Sequence, residues 1–234
     1  MVSLDSPMER LAQVEHEIEG CRRCPRLVDW RELVGTERRR SFADETYWAR
    51  PVPGWGDPAA HLVVVGLAPA AHGGNRTGRM FTGDRSGDWL YGALYRAGYA
   101  SQPTSTRRDD GLSLDGVFVT AAVRCAPPDN KPTPDERDAC APYLAAELEL
   151  LIRARVYVAL GQFALHALAN AFGLRPRPRF AHLAEFELGN GRTVITSYHP
   201  SQRNTFTKML TTEMFDAVFA RARALGGEPP ATKT

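Results

Sequence analysis

The chain is expected to fold as a single α/β domain of three layers, helices on both faces of a mostly parallel, four-stranded sheet. Three observations predict this. Four short runs, Leu62-Val63-Val64-Val65, Val117-Phe118-Val119-Thr120, Val156-Tyr157-Val158-Ala159-Leu160 and Thr193-Val194-Ile195-Thr196, are strand-like, and the first is continuously apolar, as suits burial on both faces. Stretches with helical signals separate them, so strand and helix alternate along the chain. At 234 residues, 43% hydrophobic and 24% charged, the chain can bury one sizeable core and is short for two.

The elements follow in order. Leu11, Val14 and Ile18 recur at helical spacing between Pro7 and Gly20, and a second helix is expected over residues 27–34. Residues 42–58, rich in Pro, Gly and aromatics, read as an ordered loop draped over the core. After the first strand, Gly66 opens a polar, glycine-rich loop reaching Asp84, and a helix near residues 89–97 follows. Residues 101–110 read as an exposed loop tip. After the second strand a proline-stiffened loop, Cys125 to Pro132, leads to Thr133, a helix N-cap with Pro134 at the first helical position and Glu136 three residues on. That helix should reach about Ile152. The third strand stops at Gly161 and feeds a helix to about Phe172; residues 186–191 suit a small hairpin. The fourth strand delivers Tyr198-His199-Pro200-Ser201, a last helix covers about residues 211–225, and residues 226–234 read as a disordered tail. Residues 1–225 form the expected domain.

Composition excludes some classes. The net charge of +2 gives no global field, so an anionic partner must meet a local basic face. The Arg38-Arg39-Arg40 run and the turn from Arg175 to Arg179 could supply one, though such runs are usually only solvated. Residues 1–19 carry charges throughout and no apolar signal core, and no apolar segment approaches membrane-spanning length. A cytoplasmic location, no membrane association and a monomeric state are therefore expected. The glycine loop lacks the Gly-Lys-Ser/Thr of a P-loop and the Gly-x-Gly-x-x-Gly fingerprint of dinucleotide sites.

Two constellations carry chemistry. Cys21 and Cys24 have Cys-x-x-Cys spacing, with Cys125 and Cys140 beyond. Disulfides do not suit a cytosolic chain, and a thioredoxin-type pair would leave two cysteines unexplained. A four-thiolate site uses all four, and both zinc and iron–sulfur clusters accept such a set. The second constellation is His199, at the carboxyl end of an expected strand, where open α/β sheets bind ligands.

These stretches together resemble a family. Gly66-Leu67-Ala68-Pro69-Ala70-Ala71-His72-Gly73-Gly74-Asn75-Arg76-Thr77-Gly78-Arg79 resembles the first motif of the family 5 (UDGb-type) uracil-DNA glycosylases. Arg124-Cys125-Ala126-Pro127-Pro128-Asp129-Asn130-Lys131-Pro132 resembles their middle motif, and the stretch from His199 to Thr207 their last. The resemblance spans roughly Cys21 to Leu225 and departs at Lys208, where glycine is expected.

The resemblance implies a glycosylase that flips deaminated bases out of double-stranded DNA and leaves abasic sites. Cys21, Cys24, Cys125 and Cys140 are then the ligands of a [4Fe–4S] cluster. His199 becomes the donor to the oxyanion that develops on the leaving base. Phe81 offers a stacking surface, Asn130 an amide for the base edge, and Ala68 a small wall of the base pocket. Gln202, Arg203 and Asn204 belong to the loop expected to enter the groove, and Arg76, Arg79 and Lys208 are expected phosphate contacts. The first motif lacks a carboxylate, so Asp84 is the expected group for orienting water. With Thr120-Ala121-Ala122-Val123 where related uracil-specific enzymes place an asparagine, hypoxanthine is expected as a further substrate. A non-catalytic iron–sulfur DNA-binding module is the alternative.

Overall fold

The computed structural model of the chain describes residues 6–226. The tail expected over residues 226–234 therefore lies, past Gly226, outside the described residues. Helices α1 (Pro7–Glu19) and α2 (Pro25–Glu37) lead into an extended stretch ending in a two-residue strand, β1 (Trp55–Gly56). Then come β2 (Leu62–Gly66), α3 (Gly74–Thr77), α4 (Arg85–Arg96), β3 (Val117–Ala121), α5 (Pro134–Leu150), β4 (Val156–Leu160) and α6 (Gln162–Ala171). The hairpin β5 (Glu185–Gly189) and β6 (Arg192–Ser197), a short α7 (Gln202–Phe206) and α8 (Thr212–Ala224) follow.

The sheet has six strands in the order β1-β3-β2-β4-β6-β5, not four. The four expected strands form its parallel centre. β1 and β5 add antiparallel edges: Trp55 pairs with Val119, and Phe186 with Val194. β2, β3 and β4 are buried at every position, which explains their largely apolar sequences. Odd and even positions serve two cores. Val64, Val119, Val158 and Ile195 pack under α4 and α8 through Leu90, Leu94, Phe215 and Phe219. Val63, Phe118, Tyr157 and Val194 face Leu11, Leu144, Leu148 and Leu165 of α1, α5 and α6. These are the expected three layers.

The helix caps match their sequence signals. Thr133 and Glu136 close a capping box on α5. α4 begins four residues before the expected start, because Asp84 caps it by accepting from the Gly87 amide. Since β2, β3, β4 and β6 are parallel, their carboxyl ends share one edge. Connections diverge there: β3 lies on one side of β2 and β4 on the other. Ligands bind at such a switch point in open α/β sheets.

Candidate active site

At that edge lies a cleft of about 790 Å³, within the usual range for ligand sites. Of the residues singled out in the sequence, Ala68, Phe81, Asp84, Asn130, His199, Gln202 and Arg203 line it. Its walls are the loop after β2, the turn after β3 and the segment after β6.

Phe81 lies on the end of β2. A Cβ on Gly66 would stand 2.6 Å from its ring, so only glycine admits this seat. Phe81 itself holds φ 53°, a left-handed conformation that a bulky residue adopts at a cost. Its ring centroid is 6.0 Å from that of His199, tilted by 30°. The two rings wall one space.

His199 is held from both sides. Its carbonyl accepts from the Asn204 side-chain amide at 2.9 Å and from the Ser201 N–H at 2.8 Å. Its Cβ approaches Gly161, just past β4. Upstream, the Tyr198 N–H donates to His182 Nδ1 at 3.3 Å, and the two rings stack with centroids 5.2 Å apart. Burial pushes the His199 pKa down to about 4, so its imidazole is neutral at physiological pH and keeps one N–H to donate. Asn204 thus positions His199, and His182 supports it through Tyr198.

Asp84 lines the same cleft, three residues after Phe81 on the loop that follows β2. A Cβ on Gly73 would come within 2.0 Å of Asp84 Oδ2, so the glycine lets the loop close on the carboxylate. Burial raises its pKa, against the opposing amides of Gly87 and Ser86. Asn130 holds φ 54° on a tight turn, 128–130, that brings it to the rim.

Two expected phosphate contacts are corrected. Arg76 is buried, pairs with Glu45, donates to the carbonyls of His72 (2.8 Å) and Gly83 (3.1 Å), and lies over the Phe42 ring. Arg79 is buried against Asp110 at 2.7 Å and also bonds Thr82, Ser105 and the Arg108 carbonyl. Both brace the glycine loop from within, and neither lines the cleft. Lys208 is exposed and away from the cleft lining, and it holds φ 56° where glycine was expected. The cations that do line the cleft are Arg39, Arg85, Lys131 and Arg203. Arg39 comes from the basic run, Arg85 is the third arginine of the glycine loop, directly after Asp84, and Lys131 lies within the middle motif.

Away from the cleft, all four cysteines line one small cavity of about 20 Å³ and form no disulfide. Cys21 and Cys24 come from the α1–α2 connection, Cys125 from the turn after β3, and Cys140 from α5. Burial pushes the thiol of Cys125 up to about 12 and that of Cys140 to about 11, so neither ionises unless a cation takes the proton's place. Two N–H donors point at sulfur: Arg31 Nη1 lies 3.0 Å from Cys125 Sγ, and the Arg124 amide 3.4 Å from Cys140 Sγ. Arg31 is only 2% exposed, its Nε has no partner, and its nearest carboxylate, Glu32 at 3.8 Å, also bonds Arg22. A buried cation so placed suits an anionic group in the cavity. Among the described residues, no three His, Cys, Asp or Glu side chains gather around a point that a single ion would occupy.

The profile of the uracil DNA glycosylase superfamily matches residues 53–223. The type-5 uracil-DNA glycosylase of Thermus thermophilus is 55% identical over 221 residues, 94% of this chain and 100% of that protein. That of Mycobacterium tuberculosis is 55% identical over 214 residues, 90% and 80% of the two chains. The type-4 uracil-DNA glycosylase of Archaeoglobus fulgidus is 31% identical over 201 residues, 83% of each. The matched span includes the whole cleft-bearing sheet, and the chain belongs to the uracil-DNA glycosylase superfamily, grouping there with the type-5 enzymes.

Proposed function

We propose that the cleft hydrolyses the N-glycosidic bond of uracil, and also of hypoxanthine and other deaminated bases, in double-stranded DNA, the protein acting as a monomer. The observation that carries this reading is the pairing of Phe81 and a neutral His199 around one space, with Asp84 lining the same cleft. A nucleotide turned out of the duplex stacks on Phe81. As the bond breaks, the base leaves with its electron pair, and the His199 N–H donates to the oxygen that gathers the charge. Water adds to the sugar carbon left behind. Asp84 orients that water and takes its proton, a task its raised pKa suits. Asn130 offers donor and acceptor to the base edge. Gln202 and the cations Arg39, Arg85, Lys131 and Arg203 meet the backbone.

The same geometry supports loose base selection. Ala68 gives the cleft no polar side chain, and Ala121 and Ala122 are buried. Thr120 is occupied by Glu147 at 2.7 Å. The one amide of the middle motif, Asn130, sits on an exposed turn. Strong rejection of a wrong base requires buried polar groups that it would leave unpaired.

The thiol cavity fits a [4Fe–4S] cluster held by Cys21, Cys24, Cys125 and Cys140. Four thiols wall one space, with the buried Arg31 guanidinium and the Arg124 amide directed at sulfur to offset thiolate charge. Such a cluster supplies cross-linking: it ties the α1–α2 connection to α5 and the turn carrying Asn130. The test of the activity is single-turnover release of free base from duplexes and single strands bearing uracil or hypoxanthine. Uracil is expected to be faster, with a preference below about 10⁴-fold. A larger preference removes the broad reading. DNA binding with no base released from any substrate leaves only the non-catalytic module.

A further inference from the structure

We propose that His72, oriented by Tyr47, is a neutral hydrogen-bond donor to a phosphate flanking the nucleotide turned into the cleft; this rests on the glycosylase reading above. Besides His199, His72 also lines the cleft, and it carries an open ring nitrogen there.

Both its backbone and its ring are held. The Gly73 N–H closes a turn onto the Ala70 carbonyl at 3.2 Å, and Arg76 Nε donates to the His72 carbonyl at 2.8 Å. The hydroxyl of the buried Tyr47 lies 3.0 Å from His72 Nδ1, and the two rings meet edge-on with centroids 6.1 Å apart. The Tyr47 oxygen accepts from the Arg39 N–H at 3.4 Å, so the hydroxyl keeps its own proton for Nδ1. Burial, with Arg39 and Arg76 nearby, holds the imidazole below the ordinary histidine range. It is therefore neutral at physiological pH and carries its one proton on Nε2. Nε2 has no partner among the described residues and is open to solvent.

Charge selects the ligand. Arg39, joined to Tyr47 through its N–H, lines the same cleft, so a cation and a neutral donor flank one tyrosine. An anion with several acceptor oxygens uses both, and DNA backbones are met by such mixtures of arginine and neutral donors. A base carbonyl would use the donor and leave the cation without a counter-charge. His72 also adjoins Gly73, which packs on the Asp84 carboxylate. A further cation there would lower the Asp84 pKa, whereas a neutral donor leaves it raised.

The test uses the whole chain and a uracil-bearing duplex, either unmodified or with a methylphosphonate at the phosphate on one side or the other of the uridine. His72→Ala and His72→Asn are expected to slow single-turnover excision by about 10- to 100-fold, the scale of one hydrogen bond to a charged group. His72→Gln, whose amide N–H takes the place of Nε2–H, restores the rate to within about 3-fold of the wild type. Tyr47→Phe slows excision too, and the ring-nitrogen NMR resonances of His72 move from an Nε2–H tautomer to a mixture. At one of the two positions the methylphosphonate slows the wild type, and His72→Ala then adds less than about 2-fold. The salt slope of duplex binding is unchanged by His72→Ala, while Arg39→Ala reduces it by about 0.9. A wild-type rate with His72→Ala, no rescue by His72→Gln, or an undiminished effect of His72→Ala on both methylphosphonate duplexes overturns the proposal. A salt slope lowered by His72→Ala overturns the neutral donor, and a wild-type rate with an unmoved tautomer in Tyr47→Phe overturns the role of Tyr47. A wild type that releases no uracil from the unmodified duplex refutes the glycosylase reading itself.

Discussion

Replacing Arg79 by alanine separates a buried brace from a phosphate contact, two roles that predict opposite results. In the structure Arg79 and Asp110 are 5% and 8% exposed and meet at 2.7 Å. Burial alone would raise the Asp110 carboxyl, yet Arg79 and the amides of Thr106, Leu112 and Arg107 hold it below the usual range. Removing one partner of a buried pair costs about 3–5 kcal/mol. Asp110 keeps three backbone donors, so the lower end applies, about 3 kcal/mol. For a domain of this size that lowers Tm by roughly 10 °C. Urea unfolding measures the loss directly, and Arg79→Met with Asp110→Asn should recover part of it, as coupled sites do. The salt dependence of duplex binding should stay unchanged, whereas Arg203→Ala, at the cleft, reduces the slope by about 0.9. An Arg79→Ala protein of native stability with a reduced salt slope would refute the buried-brace account.

Three further outcomes follow from particular residues. Lys208→Gly relieves a left-handed lysine worth about 1–2 kcal/mol, less about 0.4–1 kcal/mol of added unfolded-state entropy, so denaturant unfolding should show a small net gain; a clear loss contradicts the strain. Cys140→Ser should lose absorbance near ~400 nm, iron content and thermal stability together; zinc in the purified wild type in place of iron excludes the cluster. Burial holds His72, His166, His182 and His199 below the ordinary histidine range, so each is protonated more readily when unfolded. Their contribution is therefore present above about pH 6.5 and lost as pH falls towards the folded values, near 4 for His199; an NMR titration of His199 at its ordinary pKa contradicts this.

The central strands were legible because burial on both faces leaves a local mark, an unbroken apolar run such as Val63-Val64-Val65. The edges were less so. β1 is two residues whose state is set by pairing with Phe118 and Val119, and nothing near Trp55 encodes that register. β5 alternates partly buried Phe186 and Leu188 with exposed neighbours, and only its turn announced the hairpin. Arg76 and Arg79 show the same limit at the site. Each finds its carboxylate, Glu45 or Asp110, 31 positions away, so local reading could not tell a buried brace from a surface cation. His182 reaches Tyr198 across 16 positions and carried no motif. Phe81, Asp84, Asn130, Ala68 and His199 came to one cleft because their motifs follow strands that end on one edge.

The most direct measurement is uracil release by His199→Ala from a uracil-bearing duplex under single-turnover conditions, alongside its Kd for the same DNA. The account predicts a rate lower by about 100-fold or more, the scale of one lost oxyanion donor, with duplex affinity nearly unchanged. A wild-type rate, or a loss of affinity that matches the loss of rate, would contradict it.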